Sequence, residues 1–244
     1  EKDRMLLDVA LEGGIEIPAL CYHQAEPPYG ACRLCMVEVE TNGKTRTYPA
    51  CTFPVRDEGM TVRTSTEEIE RHRRMNVELL LARCPESQEV REMAEKMGVE
   101  ESRFPEDSRD KCISCGLCVN ICRDLLEVGA ISFAGRGPDR RVTTPFDEPS
   151  EVCLGCGACA EVCPTGNIRI DDRDGEREII PFNTTHKLVR CPECGRGYVT
   201  EKQLEYLQDA LGDQAQALAG CPECRSRRRA DELKELYEKR LNTS

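Results

Sequence analysis

The sequence predicts an α+β chain assembled from several small modules, each closed around thiolates, in place of one large apolar core. Three observations predict it. Sixteen of the seventeen cysteines among 244 residues fall into four tetrads. Hydrophobic residues reach only 39%, aromatics 5%, and tryptophan is absent, a thin supply of core material for one large domain. Metal–ligand bonds stabilise a folded state where apolar burial is limited. Finally, short alternating stretches punctuated by Asn-Gly and Asp-Glu-Gly turns lie beside segments with helical apolar spacing.

The tetrads differ in spacing, and spacing decides what thiolates can hold. Cys21, Cys32, Cys35 and Cys51 form C-x10-C-x2-C-x15-C. Cys112, Cys115, Cys118 and Cys122 form C-x2-C-x2-C-x3-C, and Cys153, Cys156, Cys159 and Cys163 repeat it, with Pro164 after the last. Cys191, Cys194, Cys221 and Cys224 make two C-P-E-C pairs. The arithmetic reads as three iron–sulfur clusters and one further tetrathiolate site. A disulfide framework fits poorly: such scaffolds are short secreted chains, and this one shows no apolar leader segment. The thiols imply a reducing compartment, read as cytoplasmic, and no run approaches the roughly eighteen apolar residues of a membrane span. A net charge of -11 argues against general nucleic-acid affinity and favours a basic or mixed-charge protein partner.

Residues 1–64 read as a first module. A helix over 5–12 stops at Gly13-Gly14, Pro27-Pro28-Tyr29-Gly30 delivers Cys32 and Cys35, and 35–40 alternates like a half-buried strand. Residues 45–48 pair with it across Asn42-Gly43, and a last strand, 60–63, follows Asp57-Glu58-Gly59. This is the β-grasp pattern of a [2Fe–2S] ferredoxin, its first hairpin expected upstream of Glu1. The x10 spacing departs from the plant-type x4 spacing, so the [2Fe–2S] assignment leans on the surrounding sequence. Residues 65–105 form a helical linker. One helix, 65–82, opens with a capping box from Ser65 to Glu68 and carries Ile69, Met75, Leu79 and Leu80; a second, about 88–97, shows Val90, Met93, Ala94 and Met97 on one face before Gly98. Residues 102–110 are polar linker.

Residues 106–182 carry the strongest signal, an internal repeat ending in the bacterial two-[4Fe–4S] ferredoxin form. Three closely spaced thiolates take three irons of one cubane, and the fourth cysteine ligates the other cluster. One [4Fe–4S] centre is thus assigned to Cys112, Cys115, Cys118 and Cys163, the second to Cys153, Cys156, Cys159 and Cys122. Gly116, Gly155 and Gly157 let the backbone wind tightly and turn N–H groups toward sulfur. Paired zinc sites do not use a run of four. Residues 183–244 read as a zinc-ribbon-like module with helices over 201–211, capped by Thr200, and from about Asp231 to Leu241. Its S4 set suits structural zinc, with a single iron second. Arg225, Arg227, Arg228 and Arg229 read as a solvated helix start or a dock for an acidic subunit; the segment is too acidic for a nucleic-acid domain.

The stretch KCISCGLCVNICRDLLEVGAISFAGRGPDRRVTTPFDEPSEVCLGCGACAEVCPTGNI resembles the iron–sulfur region shared by the large cluster-bearing subunit of respiratory complex I, [FeFe]-hydrogenases and NAD-linked formate dehydrogenases. The segment IEIPALCYHQAEPPYGACRLCMVEVE resembles the [2Fe–2S] domain of the same group. Two departures stand out. Cys122 is followed by Arg123 in place of Pro. That group usually has a further [4Fe–4S] site held by one His and three Cys, but here ELLLARCPESQEV puts Cys84 where the histidine would be, without the three cysteines. The resemblance therefore implies that this site is lost. Cys84 reads as a structural thiol, and His72 as a surface helix residue. Succinate dehydrogenase iron–sulfur subunits match less well, since their [2Fe–2S] loop has the short spacing.

No G-x-G-x-x-G after a strand, P-loop, H-E-x-x-H or nucleophile–base pair is present, so the chain is expected to have no active site of its own. Iron–sulfur clusters move one electron at a time, whereas NADH delivers two as hydride, so a flavin elsewhere must divide them. The reading is an electron-transfer subunit of a multisubunit, anaerobic oxidoreductase. The resemblance implies a flavin-bearing, NADH-binding diaphorase subunit on one side and a catalytic subunit or ferredoxin on the other. Electron bifurcation is compatible with this reading but not encoded in these residues. The alternatives are a free-standing polyferredoxin shuttle and a redox-responsive zinc-ribbon regulator.

Overall fold

Asn42 and Gly43 both adopt positive φ (51° and 70°), which gives the two-residue turn that matches the twist of a hairpin. They join β1 (Met36–Thr41) to β2 (Lys44–Pro49), paired from Met36 with Pro49 to Thr41 with Lys44. β3 (Thr61–Arg63) adds to the other edge of β1, giving the antiparallel order β2-β1-β3. The computed structural model describes residues 4–56, 59–106 and 111–241. Asp57 and Glu58 of the expected turn, and 107–110 of the expected linker, lie outside the described residues. Contacts divide the chain into two units, Glu1–Thr143 with Ala158–Ile168, and Thr144–Gly157 with Arg169–Ser244.

In the first unit, α1 (Leu6–Glu12) buries Leu6, Leu7 and Ala10 in a core shared with Ile17, Val37 and Val39. Ile15 N–H donates to Ala10 O (2.8 Å) and Gly14 N–H to Leu11 O (3.0 Å), the paired bonds that close a helix end over a left-handed glycine. α2 (Glu67–Arg83) departs from expectation at both its start and its face. Thr66, not Ser65, is the cap, accepting from Ile69 N–H at 3.3 Å. Met75 and Leu79 face outward, while Arg73 and Glu78 are buried beside Ile69, Val77 and Leu81. The reason lies in backbone polarity. Arg73 donates to Leu34 O (3.1 Å) and Met36 O (2.8 Å), and Asn76 to Arg33 O (2.8 Å), carbonyls of the Cys32–Cys35 loop and of the first residue of β1. Glu78 is paired with Arg103 at 2.7 Å.

At the other end of the same helix, about 15 Å along the axis from Arg73 at the usual rise per residue, Arg83 donates to Cys112 O and Arg140 O, each at 2.8 Å. α3 (Gln88–Lys96), capped by Ser87, packs on α2 through Val90 and Ala94. Then come α4 (Leu117–Asn120), a π-helical turn over Ile121–Leu125, and a hairpin of β4 (Ser132–Ala134) and β5 (Arg141–Thr143). α5 (Ala158–Glu161) returns to this unit.

The second unit is built on a four-stranded antiparallel meander that the sequence pattern did not predict: β6 (Arg169–Arg173), β7 (Glu176–Ile180), β8 (Thr184–Arg190) and β9 (Gly197–Thr200). One local signal for it is Asp174-Gly175, a second two-residue turn with positive φ at both positions. α6 (Glu201–Leu211) follows with Thr200 as its cap, as expected. α7 runs Pro222–Leu241, starting directly on the second C-P-E-C pair and well before the expected Asp231. No described helix is long and apolar enough to cross a membrane.

If Arg73 is the tie between α2 and the cysteine loop, Arg73→Met should lower unfolding stability by about 2 kcal/mol, the scale of lost charge-assisted bonds to buried carbonyls. Chemical denaturation of wild type and variant checks it; equal midpoints would mean the tie carries no stability.

Candidate metal centres

The first tetrad is fully buried. Cys21 and Cys35 are 1% exposed, Cys32 4% and Cys51 0%. Cys35 leads into β1, and Cys51 sits in the short turn Ala50–Thr52 after β2, where Ala50 N–H donates to Cys35 O at 2.8 Å. The hairpin thereby brings two cysteines distant in sequence to one end of the sheet. Cys32 N–H points at Cys21 Sγ (3.4 Å). Hydrogen bonds from Cys32 and Cys51 pull the Cys21 thiol down to about 2, and Cys51 pulls Cys35 down to about 7. Hydrogen bonding to Cys21 pushes Cys32 and Cys51 up. Four sulfurs that share protons this closely are a donor set a metal completes by displacing those protons. The residues fit a thiolate-held cluster.

Cys112, Cys115, Cys118 and Cys163 line one cavity, together with Ile113, Thr165 and Ile168. Gly116 (φ 84°) turns the chain between Cys115 and Cys118, Ser114 N–H faces Cys112 Sγ at 3.3 Å, and Thr165 Oγ1 lies 3.6 Å from Cys163 Sγ. Burial first, then the neighbouring Cys112, Cys163 and Cys21 sulfurs, pushes the Cys115 thiol up to about 12. Such a shift opposes bare thiolates and is the expected state of a dry pocket whose charge is balanced only by bound metal. The cavity thus joins three cysteines of one repeat with the last cysteine of the other.

The remaining cysteines of the repeat are placed as follows. In the first unit, Cys122 lies on the π-helical turn with Ala130 N–H 3.3 Å from its sulfur, and Cys159 lies on α5. In the second unit, Cys153 and Cys156 stand on a loop held by the sheet. Ser150 N–H donates to Thr184 Oγ1 (3.4 Å), Thr200 Oγ1 to Leu154 O, Lys202 Nζ to Glu151 O, and Arg177 to Gly155 O (3.2 Å). Gly155 is required here: a Cβ would stand 2.6 Å from His186 Cδ2. The sequence does not disclose these four holding residues, because their role depends on a sheet that its pattern marks only weakly.

The last tetrad converges most tightly. Its four Sγ atoms lie within 4.8 Å of one another, and Cys194 Sγ and Cys221 Sγ are 3.7 Å apart. An edge of a zinc–thiolate tetrahedron is about 3.8 Å for bonds of about 2.3 Å. One pair sits in the β8–β9 connection, where Cys191 N–H donates to Arg196 O (2.8 Å) and Gly195 N–H to Cys191 O (2.9 Å). The other opens α7, which explains why no glycine follows Cys224: the chain runs on into helix. Backbone N–H groups of Cys221 and Cys194 lower the Cys191 thiol to about 6, and Arg227 donates to Cys224 Sγ at 3.1 Å. Cys84 is wholly buried just after α2, and His72 lies on the surface 3.6 Å from Glu68.

Comparison with known proteins finds iron–sulfur domains over these residues. Residues 1–67 match a 2Fe-2S iron-sulfur cluster binding domain, and residues 111–167 and 152–198 match a 4Fe-4S dicluster domain. The chain is 33% identical over 81% of its length to a subunit of an NADH-quinone oxidoreductase of Rhizobium meliloti, of which it covers 25%. It is 30% identical over 69% of its length to the gamma chain of the NAD-reducing hydrogenase HoxS of Cupriavidus necator, of which it covers 81%. A chain in the crystal structure of an NAD+-reducing [NiFe]-hydrogenase in the H2-reduced state has the same fold, with a TM-score of 0.57 at 24% identity, over 85% of this chain and 92% of that one. The chain spans about a quarter of the first of these relatives. Its cysteine-bearing ferredoxin-type domains, of mixed helix and sheet, place it plainly: the chain belongs to the family of electron-transfer iron–sulfur subunits of NAD(P)-linked oxidoreductases and hydrogenases.

Proposed function

We propose that this chain relays single electrons between a flavin-bearing, NADH-binding subunit and a second redox partner, either a catalytic subunit or a ferredoxin. The observation that carries the reading is that α2 ties the Cys32–Cys35 loop through Arg73 and the Cys112 loop through Arg83, so one rigid element serves two ligand sets of the first unit. In this reading Cys21, Cys32, Cys35 and Cys51 hold a [2Fe–2S] cluster. Cys112, Cys115, Cys118 and Cys163 hold one [4Fe–4S] cluster, and Cys153, Cys156, Cys159 and Cys122 the second. The clusters supply one-electron redox chemistry; the protein supplies thiolates, dry surroundings and N–H groups aimed at sulfur.

The Cys191, Cys194, Cys221 and Cys224 set is proposed to hold structural zinc in a small zinc-ribbon-like module. The convergence of four thiol sulfurs and their position at the base of α7 support a folding role, because four protein ligands would fill a tetrahedral zinc site and leave no position open. The hydrogenase relative's name, NAD-reducing, supports an NAD(H)-linked partner for this chain as well.

Anaerobic purification of the complex from its native host, with identification of the bound chains, tests the partner assignment. Recovery with a flavin-containing NADH dehydrogenase subunit is expected; recovery alone would replace the fixed relay by a diffusing polyferredoxin. In the purified protein, Cys156→Ser should abolish one cubane's EPR signal and leave the [2Fe–2S] signal in place, so loss of both signals or of neither would contradict the ligand assignment. Cys221→Ser should remove zinc without loss of iron, measured by elemental analysis, and should lower the helical circular dichroism as α7 loses its base. Iron falling in step with zinc would contradict the separation of the sites.

A further inference from the structure

Between the first two ligand sets stands a residue that neither set uses. Tyr29 belongs to the loop that leads to Cys32, and its ring lies on Gly116, the residue after Cys115. A Cβ at Gly116 would meet Tyr29 Cδ1 at 3.2 Å and Cε1 at 3.5 Å. At the next residue along the same loop, a Cβ on Gly30 would lie 4.0 Å from Cys51 Sγ. Two consecutive residues of this loop therefore stand next to both sets: Gly30 beside Thr52 and Cys51, and the Tyr29 ring against Gly116. The ring is also held from the side. Arg140 donates to Tyr29 Oη at 3.0 Å, the Arg140 guanidinium sits 3.7 Å over the Phe133 ring, and Tyr29 and Phe133 are stacked with centroids 6.4 Å apart.

Core burial does not account for this clasp. Tyr29 is 45% exposed, so its apolar contribution to stability is small compared with that of a buried aromatic. Nor does either loop need its hydroxyl, since the carbonyls of the Cys32–Cys35 and Cys112 loops are satisfied by Arg73 and Arg83. What remains distinctive is position. The ring covers Gly116 where a side chain would otherwise stand, and Gly116 and Gly30 both have left-handed backbones (φ 84° and 70°) that favour glycine.

We propose that Tyr29 is a positioning residue for electron transfer, filling the gap between the Cys21/Cys32/Cys35/Cys51 set and the Cys112/Cys115/Cys118/Cys163 set with a fixed aromatic contact. This rests on the cluster assignment proposed above. The step is the passage of one electron: one centre is oxidised by one electron, the other reduced by one, and Tyr29 keeps its phenolic proton and its oxidation state. Electron tunnelling weakens steeply when packed atoms are replaced by a gap, so the ring accelerates the step by being there, and Arg140 acts by holding it.

The test compares wild type, Tyr29→Phe and Tyr29→Ala in the full chain carrying its clusters. Iron, sulfide and the two EPR signals are measured first, and absence of either signal in wild type would defeat the cluster assignment itself, before Tyr29 is reached. Midpoint potentials and amide exchange over residues 26–31 and 112–118 follow. The chain is then partly reduced by a photochemically generated flavin radical, and redistribution of the electron between the two centres is timed by absorbance. Tyr29→Ala should slow redistribution by about an order of magnitude with unchanged potentials and cluster content, whereas Tyr29→Phe, which keeps the ring on Gly116, should stay near wild type. Wild-type redistribution in Tyr29→Ala would overturn the proposal. So would a loss of rate matched by a loss of clusters or by deprotection of both loops, since Tyr29 would then be a structural anchor only.

Discussion

Four cysteine loops in this protein are each held by an arginine that donates to the loop's backbone. Arg73 serves the Cys32–Cys35 loop, Arg83 the Cys112 loop, Arg177 the Cys153–Cys156 loop, and Arg228 donates to Ala219 O ahead of Cys221 at 2.8 Å. The need is physical. A loop wound tightly enough to aim several sulfurs at one point turns its N–H groups inward toward sulfur and leaves its carbonyls facing out, without strand or helix partners. Carbonyls drawn out of water must find donors, as Leu34 O, Cys112 O and Gly155 O do, whereas the bond to Ala219 O is exposed. A guanidinium offers several in a fixed plane and keeps its charge at any working pH, and that charge also compensates the anionic thiolates.

This constraint acts together with core packing. One apolar cluster, around Leu6, Leu7, Ile17, Val37 and Val39, includes Cys35 and Cys51 as members. The S4 site gathers only Cys191, Cys221 and Cys224 with Tyr198 against them. Secondary structure is accordingly arranged to present donors. α2 turns Arg73 inward to donate and Glu78 inward to accept from Arg103, leaving Met75 and Leu79 outside, and the β6–β9 meander carries the donors Arg177 and Thr200 to the loop it supports. In the first unit the result is two ligand sets fastened to one helix. For a chain whose relatives are electron-transfer subunits, fixed spacing of its centres is the property such a scaffold supplies.

How far the sequence discloses this follows from what kind of signal each part carries. The iron–sulfur character of the chain is legible because cysteine spacing is a covalent constraint, and in the structure Cys112, Cys115, Cys118 and Cys163 line one cavity. The Asn42-Gly43 turn, the Thr200 cap and the stop at Gly98 are legible because they depend on local backbone geometry. The buried face of α2 is not, since burial there is decided by carbonyls forty residues away in sequence and hydropathy is blind to them. The meander is hard to see because β6 and β7 are charged and mostly surface-lying, with Ile179 alone deeply buried, so alternation is weak and only Asp174-Gly175 marks it. The start of α7 at Pro222 has one local mark, the arginine that follows Cys224 where Gly195 follows Cys194, and that mark does not by itself show how far back the helix begins.

The proposed relay requires two of the proposed clusters to lie near one another in the first unit. Its most direct test is the EPR spin relaxation of the [2Fe–2S] signal as the protein is reduced stepwise under anaerobic conditions. The account predicts that this signal relaxes faster, and broadens, once the cubane held by Cys112, Cys115, Cys118 and Cys163 becomes paramagnetic, and that Cys115→Ser abolishes the effect. A [2Fe–2S] signal indifferent to the redox state of that cubane would contradict it.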